Sequence, residues 1–328
     1  MNNHNNKILL SIRCFVYNHE PYLRQCLEGF VMQKTSFAFE AIVHDDASTD
    51  NSAAIIREYA EKYPDIIKPI YETENQYSKH DGSLRRIMDS AISPSSKYLA
   101  LCEGDDYWTD PLKLQKQVDA LDNHPGCTIC FGNVRVVSPE GEYQNWNIPV
   151  NPSIKSGIIK LGDYTKEQFS KRRWAFHTSS YIYKKCMVNG FNEIMRKEFK
   201  DFPYGDMPLV LYCLMKGNGY YISDEMSCYR WHVPGSWTKK NVDDKNKLIK
   251  TAEKLIKSLE SFDKLTCYQY HKDVKLKILQ QQFLVDDNSG NVISLLSPKY
   301  WKIYDKYELK HVPYIIIKKY LPFIKYKR

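Results

Sequence analysis

Acidic side chains follow two of the apolar runs in this sequence, at the point where each run ends. Asp45 and Asp46 follow one run, and Glu103, Asp105 and Asp106 follow another. Carboxylates gathered in one place repel one another unless a cation offsets their charge. Mg²⁺ and Mn²⁺ prefer such oxygen ligands and usually bind one or two protein carboxylates together with a substrate phosphate. Since a carboxylate can also accept a hydrogen bond from a base or a ribose, one cluster could bind a nucleoside and the other a metal ion.

A purely structural role is the alternative, because acidic residues are common near helix N-termini. Asp45, Asp46 and Asp50 all precede a predicted helix. We assign the helix cap to Asp50. The acids on both sides of Gly104 directly follow a buried strand, which favours a functional role for that cluster, and we assign Asp45 and Asp46 to function as well.

Apolar runs alternate with helical spacing along the first 125 residues. Strands are predicted over residues 8–15, 39–44, 66–71 and 98–102. Helical spacing of apolar residues separates them, as in Leu23, Cys26, Leu27 and Phe30. Strands and helices of this length predict βαβ units and a mainly parallel sheet, which is an α/β fold. Such sheets bind ligands at the carboxyl ends of their strands, where both acidic clusters lie.

The alternation is less regular after residue 125. The predicted elements are a strand over 128–137, a loop over 138–170, a strand over 174–183, a helix over 206–215, short strands over 220–223 and 229–232, and two helices within 242–286. We therefore predict one α/β domain over residues 1–238 and a helical C-terminal extension over 239–328, which ends in a basic and aromatic tail.

The cysteine content predicts a reducing compartment. Nine cysteines are an odd number, and most lie in apolar runs, as expected of buried thiols in a cytoplasmic protein. Cys127 and Cys130 have no second pair to complete a zinc site, so we interpret them as strand residues. The N-terminus lacks the apolar core of a signal peptide, and no apolar run is long enough to span a membrane. The net charge of +8 favours anionic partners.

Three blocks of sequence carry these features: SIRCFVYNHEPYLRQCLEGFVMQ, FEAIVHDDASTDNS and YLALCEGDDYWTDPLKLQKQVDAL. In order and spacing they resemble a family 2 glycosyltransferase with the GT-A fold, a Rossmann-like sheet flanked by helices. The resemblance covers roughly residues 7–237. It implies that residues 1–238 form an inverting transferase domain. Such a domain moves a sugar from a nucleoside-diphosphate sugar to an acceptor hydroxyl and uses Mn²⁺ or Mg²⁺.

The resemblance assigns roles within the donor site. It implies that Asp45 and Asp46 contact the nucleoside. It also implies that the loop containing Tyr17, Asn18 and Glu20 closes over the base and ribose.

The second acidic cluster occupies the family's DxD-type position for metal and diphosphate. Glu103 stands where the first aspartate is usual, so the resemblance implies metal contacts by Asp105 and Asp106 and a diphosphate contact by Glu103 and Asp105. A later segment resembles one that returns to the diphosphate in some members. It implies that Arg230 contacts the diphosphate and His232 the metal.

Asp206 is the catalytic base that the resemblance implies. Inversion needs a group that takes the acceptor proton, and the family often has an acidic pair at the start of a helix in this region. Here the pair is Gly205 and Asp206, and a helix N-cap is the alternative role. The segment from His177 to Ser179 matches a strand on the acceptor side. Arg85 and Arg86 could pair with phosphate or lie solvated on a helix.

Two other functions compete with sugar transfer. A nucleotidyltransferase would usually have a glycine-rich, basic phosphate loop after its first strand, where this chain has Tyr17, Asn18, His19 and Glu20. A non-enzymatic anion- or lipid-binding protein is the other alternative. We favour a UDP-sugar donor, a saccharide or lipid-linked saccharide acceptor and no nucleic acid. The basic tail could contact the inner face of the membrane, in the assembly of cell-surface polysaccharide or glycolipid, or pack on the catalytic domain.

Overall fold

The computed structural model describes residues 7–171, 175–236, 238–239, 244–291, 294 and 297–300. Within these residues the chain forms two compact units. The first contains residues 7–164, 175–193 and 206–234. The second contains residues 165–171, 194–205 and the described residues from 235 onward. The predicted division near residue 238 stays a prediction.

A mixed sheet of ten described strands lies in the first unit. The strands are Ile8–Val16 (β1), Ala38–Asp45 (β2), Ile67–Tyr71 (β3), Tyr98–Leu101 (β4), Tyr107–Trp108 (β5), Cys127–Val137 (β6), Tyr143–Ile148 (β7), Gly157–Ile159 (β8), Ile182–Lys184 (β9) and Asn218–Arg230 (β10). Their order is β3-β2-β1-β4-β9-β6-β10-β5, with β7 beside β6 and β8 beside β10.

The direction of the strands brings the carboxyl ends of the long strands to one edge. β1 to β4 are mutually parallel, and β6 is parallel to β10. β9 is antiparallel to both β4 and β6, so these two strands share one direction. The predicted α/β fold class is therefore confirmed, with the parallel strands concentrated in the first half of the unit.

Most of the helices lie where the apolar spacing predicts them, whereas those over 161–165 and 187–197 are not predicted. The α-helices are Glu20–Val31 (α1), Ser52–Lys62 (α2), Ser83–Ala91 (α3), Lys113–Asn123 (α4), Leu161–Thr165 (α5), Met187–Lys197 (α6), Asp206–Lys216 (α7), Lys245–Leu265 (α8) and His271–Asn288 (α9). In α1 a proline occupies the first turn, and Leu23, Leu27 and Phe30 are fully buried in one core with Ile12 of β1. Burying each such side chain contributes about 1.5–3 kcal/mol.

The segment 138–170 corrects the sequence prediction of a loop, because it contains β7, β8 and α5. The sequence of β7 is Tyr-Gln-Asn-Trp-Asn-Ile, and its first half is exposed. Such a strand lacks the regular apolar alternation that identifies a half-buried strand from sequence. It is held by antiparallel pairing with β6.

Two further predictions are corrected in the second half of the unit. The two short strands predicted within 220–232 belong to one strand, β10. Its pairing with β6 shifts register between Ile222 and Glu225, and the polar residues at this shift resemble a break in the sequence pattern. The strand predicted over 174–183 is largely a turn, since Thr178–Ser180 is a 3₁₀ helix and only Ile182–Lys184 pairs as β9. Residue 174 lies outside the described residues.

The second unit is built on α8 and α9, which confirm the two helical patterns predicted within 242–286. The ring of Phe262 contacts that of Phe169 at 6.2 Å. Gln280 donates to the Phe169 carbonyl at 2.9 Å, and Asp273 accepts from Thr165 at 3.0 Å. No helix within the described residues is both long and apolar enough to cross a bilayer. The basic tail, residues 302–328, lies outside the described part of the chain.

Lys113 in α4 is fully buried, which is rare for a lysine. Its ammonium donates to Gln117 Oε1 at 2.7 Å and lies 4.3 Å from the ring centre of Trp108. Loss of solvation lowers the pKa of Lys113 to about 7. The folded protein therefore holds this proton less tightly than the unfolded chain does.

We expect Lys113→Met to remove a pH dependence of stability. An unfolded lysine has a pKa of about 10.4, so the penalty of burying the charge is complete below the folded pKa and fades as the pH rises towards the unfolded value. Between about pH 7 and 9 the wild type should gain about 2 kcal/mol relative to the variant. Urea unfolding at both pH values measures this. Lys250→Met, at an exposed position in α8, is the control. If the free energy of unfolding differed between wild type and variant by the same amount at both pH values, the expectation would be contradicted.

Candidate active site

The end of β1 holds both acidic clusters in place. The N–H of Asp46 donates to the carbonyl of Val16, and the N–H of Gly104 donates to the carbonyl of Phe15, each at 2.9 Å. The segments that follow β2 and β4 therefore lie on opposite sides of the last residues of β1. Carboxylates from separate parts of the sequence are brought to one edge of the sheet, as predicted.

Asp45 and Asp46 have different surroundings, although both are buried. The carboxylate of Asp46 accepts from the backbone N–H groups of Gln76 (2.6 Å) and Tyr77 (3.0 Å), so it fixes the loop after β3. One carboxylate oxygen of Asp45 is buried and has no hydrogen-bond partner among the described residues. Buried polar groups are nearly always paired. Asp45 therefore has a free acceptor where the predicted nucleoside contact would need one.

The loop predicted to close over the nucleoside is tied to the loop that precedes α2. The side-chain oxygen of Asn18 accepts from the N–H of Thr49 at 2.8 Å. Glu20 accepts from Asn51 through both carboxylate oxygens, and its own N–H donates to Asp50 at 2.9 Å. The side chains of Asn18 and Glu20 therefore link two loops in this structure, and their predicted contacts with a nucleoside stay predictions.

Three exposed tyrosines surround Asp45 and Asp46. Tyr17, Tyr71 and Tyr77 have 42%, 38% and 55% of their surface exposed. Loss of solvation raises the pKa of Tyr77, and the negative charge of Glu103 adds to the increase. The loop fixed by Asp46 therefore lies near the second acidic cluster. Of these tyrosines only Tyr17 is predicted from sequence, since Tyr71 ends β3 and Tyr77 lies in the loop that follows it.

The carboxylates of the second cluster, Glu103, Asp105 and Asp106, repel one another. Loss of solvation raises the pKa of Glu103 to about 8, and the negative charges of Asp105 and Asp206 contribute to this. Glu103 is nevertheless solvent-accessible, so its crowded surroundings and not a closed core account for this shift. Burial and then the charge of Asp105 raise the pKa of Asp106 well above its ordinary value. A cation at this point would relieve the repulsion.

Gly104 is required by the close approach of the cluster to β1. A Cβ atom at this position would lie 2.7 Å from Nδ1 of His19 and 3.0 Å from a methyl carbon of Val16. Only glycine allows the backbone to come this near. The imidazole Nε2 of His19 is in turn 4.0 Å from a carboxylate oxygen of Asp105.

Arg230 connects the cluster to the end of β10. Its backbone N–H donates to the carboxylate of Asp106 at 3.0 Å, and its guanidinium donates to the carbonyl of Asp105 at 2.5 Å and to the side chain of Gln25. The guanidinium carbon lies 5.0 Å and 4.5 Å from the ring centres of Tyr22 and Tyr107.

These contacts give Arg230 a supporting role. The residue is only 4% exposed, and its guanidinium bonds to the Asp105 carbonyl and to Gln25. Its Nε is buried and has no partner among the described residues. Sequence reasoning predicts a direct diphosphate contact, which stays untested. The positioning role was missed because Arg230 is 124 residues away from Asp106 in the sequence.

His177 lies next to Asp106, in the part of the chain predicted to line the acceptor side. Its Nδ1 is 3.8 Å from Asp106 and 2.9 Å from the hydroxyl of Ser179. Burial lowers the pKa of His177 to about 3, so the ring is neutral near neutral pH. A neutral imidazole adds no positive charge to offset the acids.

Asp206 begins α7 and combines the two roles considered for it. The N–H of Met207 bonds to its carboxylate, as expected of a residue at a helix start, whereas the oxygen Oδ1 is buried without a partner among the described residues. Burial raises the pKa of Asp206. The negative charge of Asp206 also contributes to the raised pKa of Glu103.

The remaining predicted residues are less closely joined to the site. No three His, Cys, Asp or Glu side chains within the described ranges converge as a metal site. His232 therefore does not complete a three-ligand set with Asp105 and Asp106, and its metal role stays a prediction. The guanidinium of Arg85 lies over the ring of Phe191 at 5.1 Å, and Arg86 is 3.7 Å from Asp81.

Comparison with known proteins defines the class. The sheet is that of glycosyltransferases with the GT-A fold. TarS of Staphylococcus aureus in complex with UDP-GlcNAc has a TM-score of 0.56 at 15% identity, covering 98% of this chain and 93% of TarS. The mannosyltransferase PcManGT from Pyrobaculum calidifontis, in complex with GDP-Man and Mn²⁺, has a TM-score of 0.53 at 15% identity, covering 95% and 81%. At such identities the likeness concerns the fold.

The sequence places the chain within that class. Residues 11–189 match the family model described as Glycosyl transferase family 2, and the chain belongs to this family. An uncharacterised protein of Mycobacterium tuberculosis is 35% identical over 232 residues, 70% of this chain and 60% of its own length. The poly(ribitol-phosphate) beta-glucosyltransferase of Bacillus spizizenii is 27% identical over 146 residues, 44% of this chain and 22% of that enzyme. The chain thus spans about 60% of the mycobacterial relative.

We expect Arg230→Met to destabilise the protein, because it removes buried hydrogen bonds from a charged donor that are typically worth about 1.5–3 kcal/mol each. Chemical denaturation measures the loss. Arg24→Met is the matched control, since Arg24 makes a two-bond pair with Glu58 at an exposed position, where such pairs contribute about 0–1 kcal/mol. Equal losses in the two variants would contradict a supporting role for Arg230.

Proposed function

We propose that this glycosyltransferase moves a sugar from a UDP-sugar to an acceptor hydroxyl with inversion and with the help of Mg²⁺ or Mn²⁺. The observation that carries the proposal is the placement of Asp46 and Gly104 on the two sides of the β1 end. One edge of the sheet thereby offers an acidic acceptor for a nucleoside and an acidic cluster for a metal-bound diphosphate.

The nucleoside would bind beside Asp45. Its unpaired buried oxygen can accept a hydrogen bond from a base N–H, and uracil offers such a donor. Tyr17 follows Val16, the residue aligned with Asp45 in the sheet, and its exposed ring provides a flat surface for the base. Desolvating an unpaired carboxylate is costly, so a matching donor contributes affinity and selectivity together.

The diphosphate would bind beside the second acidic cluster. Burial is the main cause of the raised pKa of Asp106, and repulsion by Asp105 adds to it. Carboxylate oxygens are the ligands that a hard divalent cation prefers. We assign the metal contacts to Asp105 and Asp106. A bound Mg²⁺ or Mn²⁺ would offset the charge that develops on the leaving diphosphate. Arg230 would hold the loop that presents both carboxylates.

Asp206 would act as the base. Its unpaired oxygen can accept the proton of an acceptor hydroxyl as the hydroxyl oxygen attacks the anomeric carbon from the face opposite the diphosphate. A carboxyl whose pKa is raised by burial is a stronger base than an ordinary aspartate. One base and one substitution step imply inversion.

The pathway is proposed from the relatives. A relative named for glucosyl transfer to poly(ribitol phosphate) and a fold neighbour bound to UDP-GlcNAc favour the assembly of a cell-surface polysaccharide or glycolipid. A saccharide or lipid-linked saccharide acceptor fits this setting. We further propose a location at the inner face of the membrane.

A panel of nucleotide sugars tests the donor and the metal. With Mn²⁺ present, the wild type should hydrolyse or transfer from one UDP-sugar, and EDTA should abolish this. Asp105→Asn and Asp106→Asn should each lower turnover by at least about a hundredfold, because the charge stabilisation of the leaving group is lost. Asp119→Asn, an exposed acid on α4, is the control. Full turnover in EDTA by both variants would refute the proposal.

Asp206→Asn tests the base. We expect transfer to fall about 10²- to 10⁴-fold, with little change in the KM for the donor. The rate of the wild type should rise with pH through an ionisation above the ordinary aspartate pKa, since activity needs the charged carboxylate and burial raises its pKa. The variant should lack this dependence. A variant that keeps more than a tenth of the transfer rate would exclude Asp206 as the base.

A further inference from the structure

The solvent side of helix α8 carries a row of lysines, all of which are exposed. Successive members are four, three and seven residues apart, so they lie along one face of the helix. At ~1.5 Å per residue the row is about 21 Å long. The opposite face of the helix, with Leu255, Leu259 and Phe262, is buried. We name as the lysine row Lys250, Lys254, Lys257 and Lys264.

The charges of the lysine row are not neutralised by neighbouring acids. Within the described part of the chain, none of the four ammonium groups has an acidic side chain at ion-pair distance. Lys247, one turn earlier, differs from them because its ammonium lies 3.7 Å from Asp244. Glu253 and Glu260 are exposed on the same helix, but they lie beside the row and form no ion pair with it. Unpaired cations on one face give that face a positive potential.

The turn after α8 places exposed apolar groups at the end of the lysine row. Tyr268 has 57% of its surface exposed, and Leu265 has 37%. The backbone of Cys267 and Tyr268 is left-handed, with φ angles of 48° and 61°, at a helix end where glycine is usual. Such conformations outside glycine concentrate at functional sites.

Hydrogen bonds hold this turn in one conformation. The N–H of Tyr268 donates to the carbonyl of Asp263 at 2.8 Å. The carboxylate of Asp263 is 2.6 Å from Nδ1 of His271, and the ring of His271 lies 6.0 Å from that of Tyr268. Residues 264–275 are all described, and none of their exposed side chains is acidic. The turn therefore presents an aromatic ring beside positive charge, in a fixed position.

We propose that the lysine row and Tyr268 bind an anionic lipid bilayer. Lysines near an anionic membrane surface are each attracted to it, and a tyrosine suits the interface because its ring is apolar and its hydroxyl polar. The proposed function places the enzyme at a membrane without naming a surface. The inference rests on that function for the location alone, and it adds the part of the chain that makes the contact.

The exposed apolar groups favour a bilayer over a soluble polyanion. A polyanion in water would use the ammonium groups and leave Leu265 and Tyr268 in water. At a bilayer these two side chains can enter the headgroup region, while the ammonium groups stay among the lipid phosphates. Because the lysine row runs along the helix axis, a helix that lies flat on the bilayer brings all four charges to the phosphates at once.

Vesicle binding by the full chain tests the inference without any nucleotide sugar. We would compare the wild type with the triple variant Lys250→Gln, Lys254→Gln and Lys257→Gln, with arginine at the same three positions, and with Tyr268→Ser. The control variant changes three exposed lysines of the first unit to glutamine and so removes the same charge: Lys34, Lys155 and Lys160. The probes are phosphatidylcholine vesicles with and without phosphatidylglycerol, and inorganic polyphosphate. Cosedimentation gives the partition coefficient onto vesicles.

We expect the wild type to bind vesicles that contain phosphatidylglycerol, less tightly as the salt concentration rises. Each lysine near an anionic surface changes the partition coefficient about fivefold, so the glutamine triple variant should bind about a hundredfold more weakly. The arginine variant keeps the charge and should bind like the wild type, and the control variant should lose at most about threefold. Tyr268→Ser should weaken binding about fivefold.

Equal binding by the glutamine triple variant and the control variant would overturn the inference. Wild-type binding to polyphosphate but not to anionic vesicles would overturn it as well. Circular dichroism shows whether each variant is folded, and Tyr268→Ser decides the question if the triple variant is not. If the wild type turns over no nucleotide sugar, the proposed function fails, whereas the vesicle comparison still decides whether the lysine row binds lipid.

Discussion

Repulsion among the acidic side chains after β4 is the constraint on which the site depends. Glu103, Asp105 and Asp106 lie within four residues of chain, and each raises the pKa of a neighbour or has its own raised. The protein offsets this repulsion with backbone donors and one buried guanidinium rather than with salt bridges to each acid. The N–H of Arg230 bonds to Asp106, and its side chain bonds to the carbonyl of Asp105. A divalent cation bound here would stabilise the charged carboxylates, and the same cation would attract the diphosphate.

The end of β1 gives the two acidic clusters a common support. A central parallel strand has neighbours on both sides, so its last carbonyls can fix two separate loops at once. Phe15 and Val16 do this for the segments that contain Gly104 and Asp46. The same geometry explains why Gly104 has no side chain, because a Cβ there would meet His19 and Val16. The loop lies so close to the end of β1 that the position between Glu103 and Asp105 has to be glycine.

The parallel half of the fold could be predicted from sequence because its signals are local. Buried strands read as apolar runs, and the acids at their ends mark the edge where ligands bind. The role of Arg230 could not be predicted in the same way, since nothing in the sequence indicates that it packs between Tyr22 and Tyr107. The exposed strand β7 lacks a regular apolar period, and the register shifts of β10 hide its continuity. In each case the missing information is a contact between distant residues.

Strand β10 connects the acidic cluster to the sheet. The last residue of the strand is Arg230, whose N–H bonds to Asp106 and whose guanidinium bonds to the Asp105 carbonyl. A shift of the strand end would therefore move the loop that carries both aspartates. Its pairing with β6 over most of its length opposes such a shift. A transferase needs donor and acceptor atoms aligned within a fraction of an ångström, and a paired strand is better suited to hold them than a free loop.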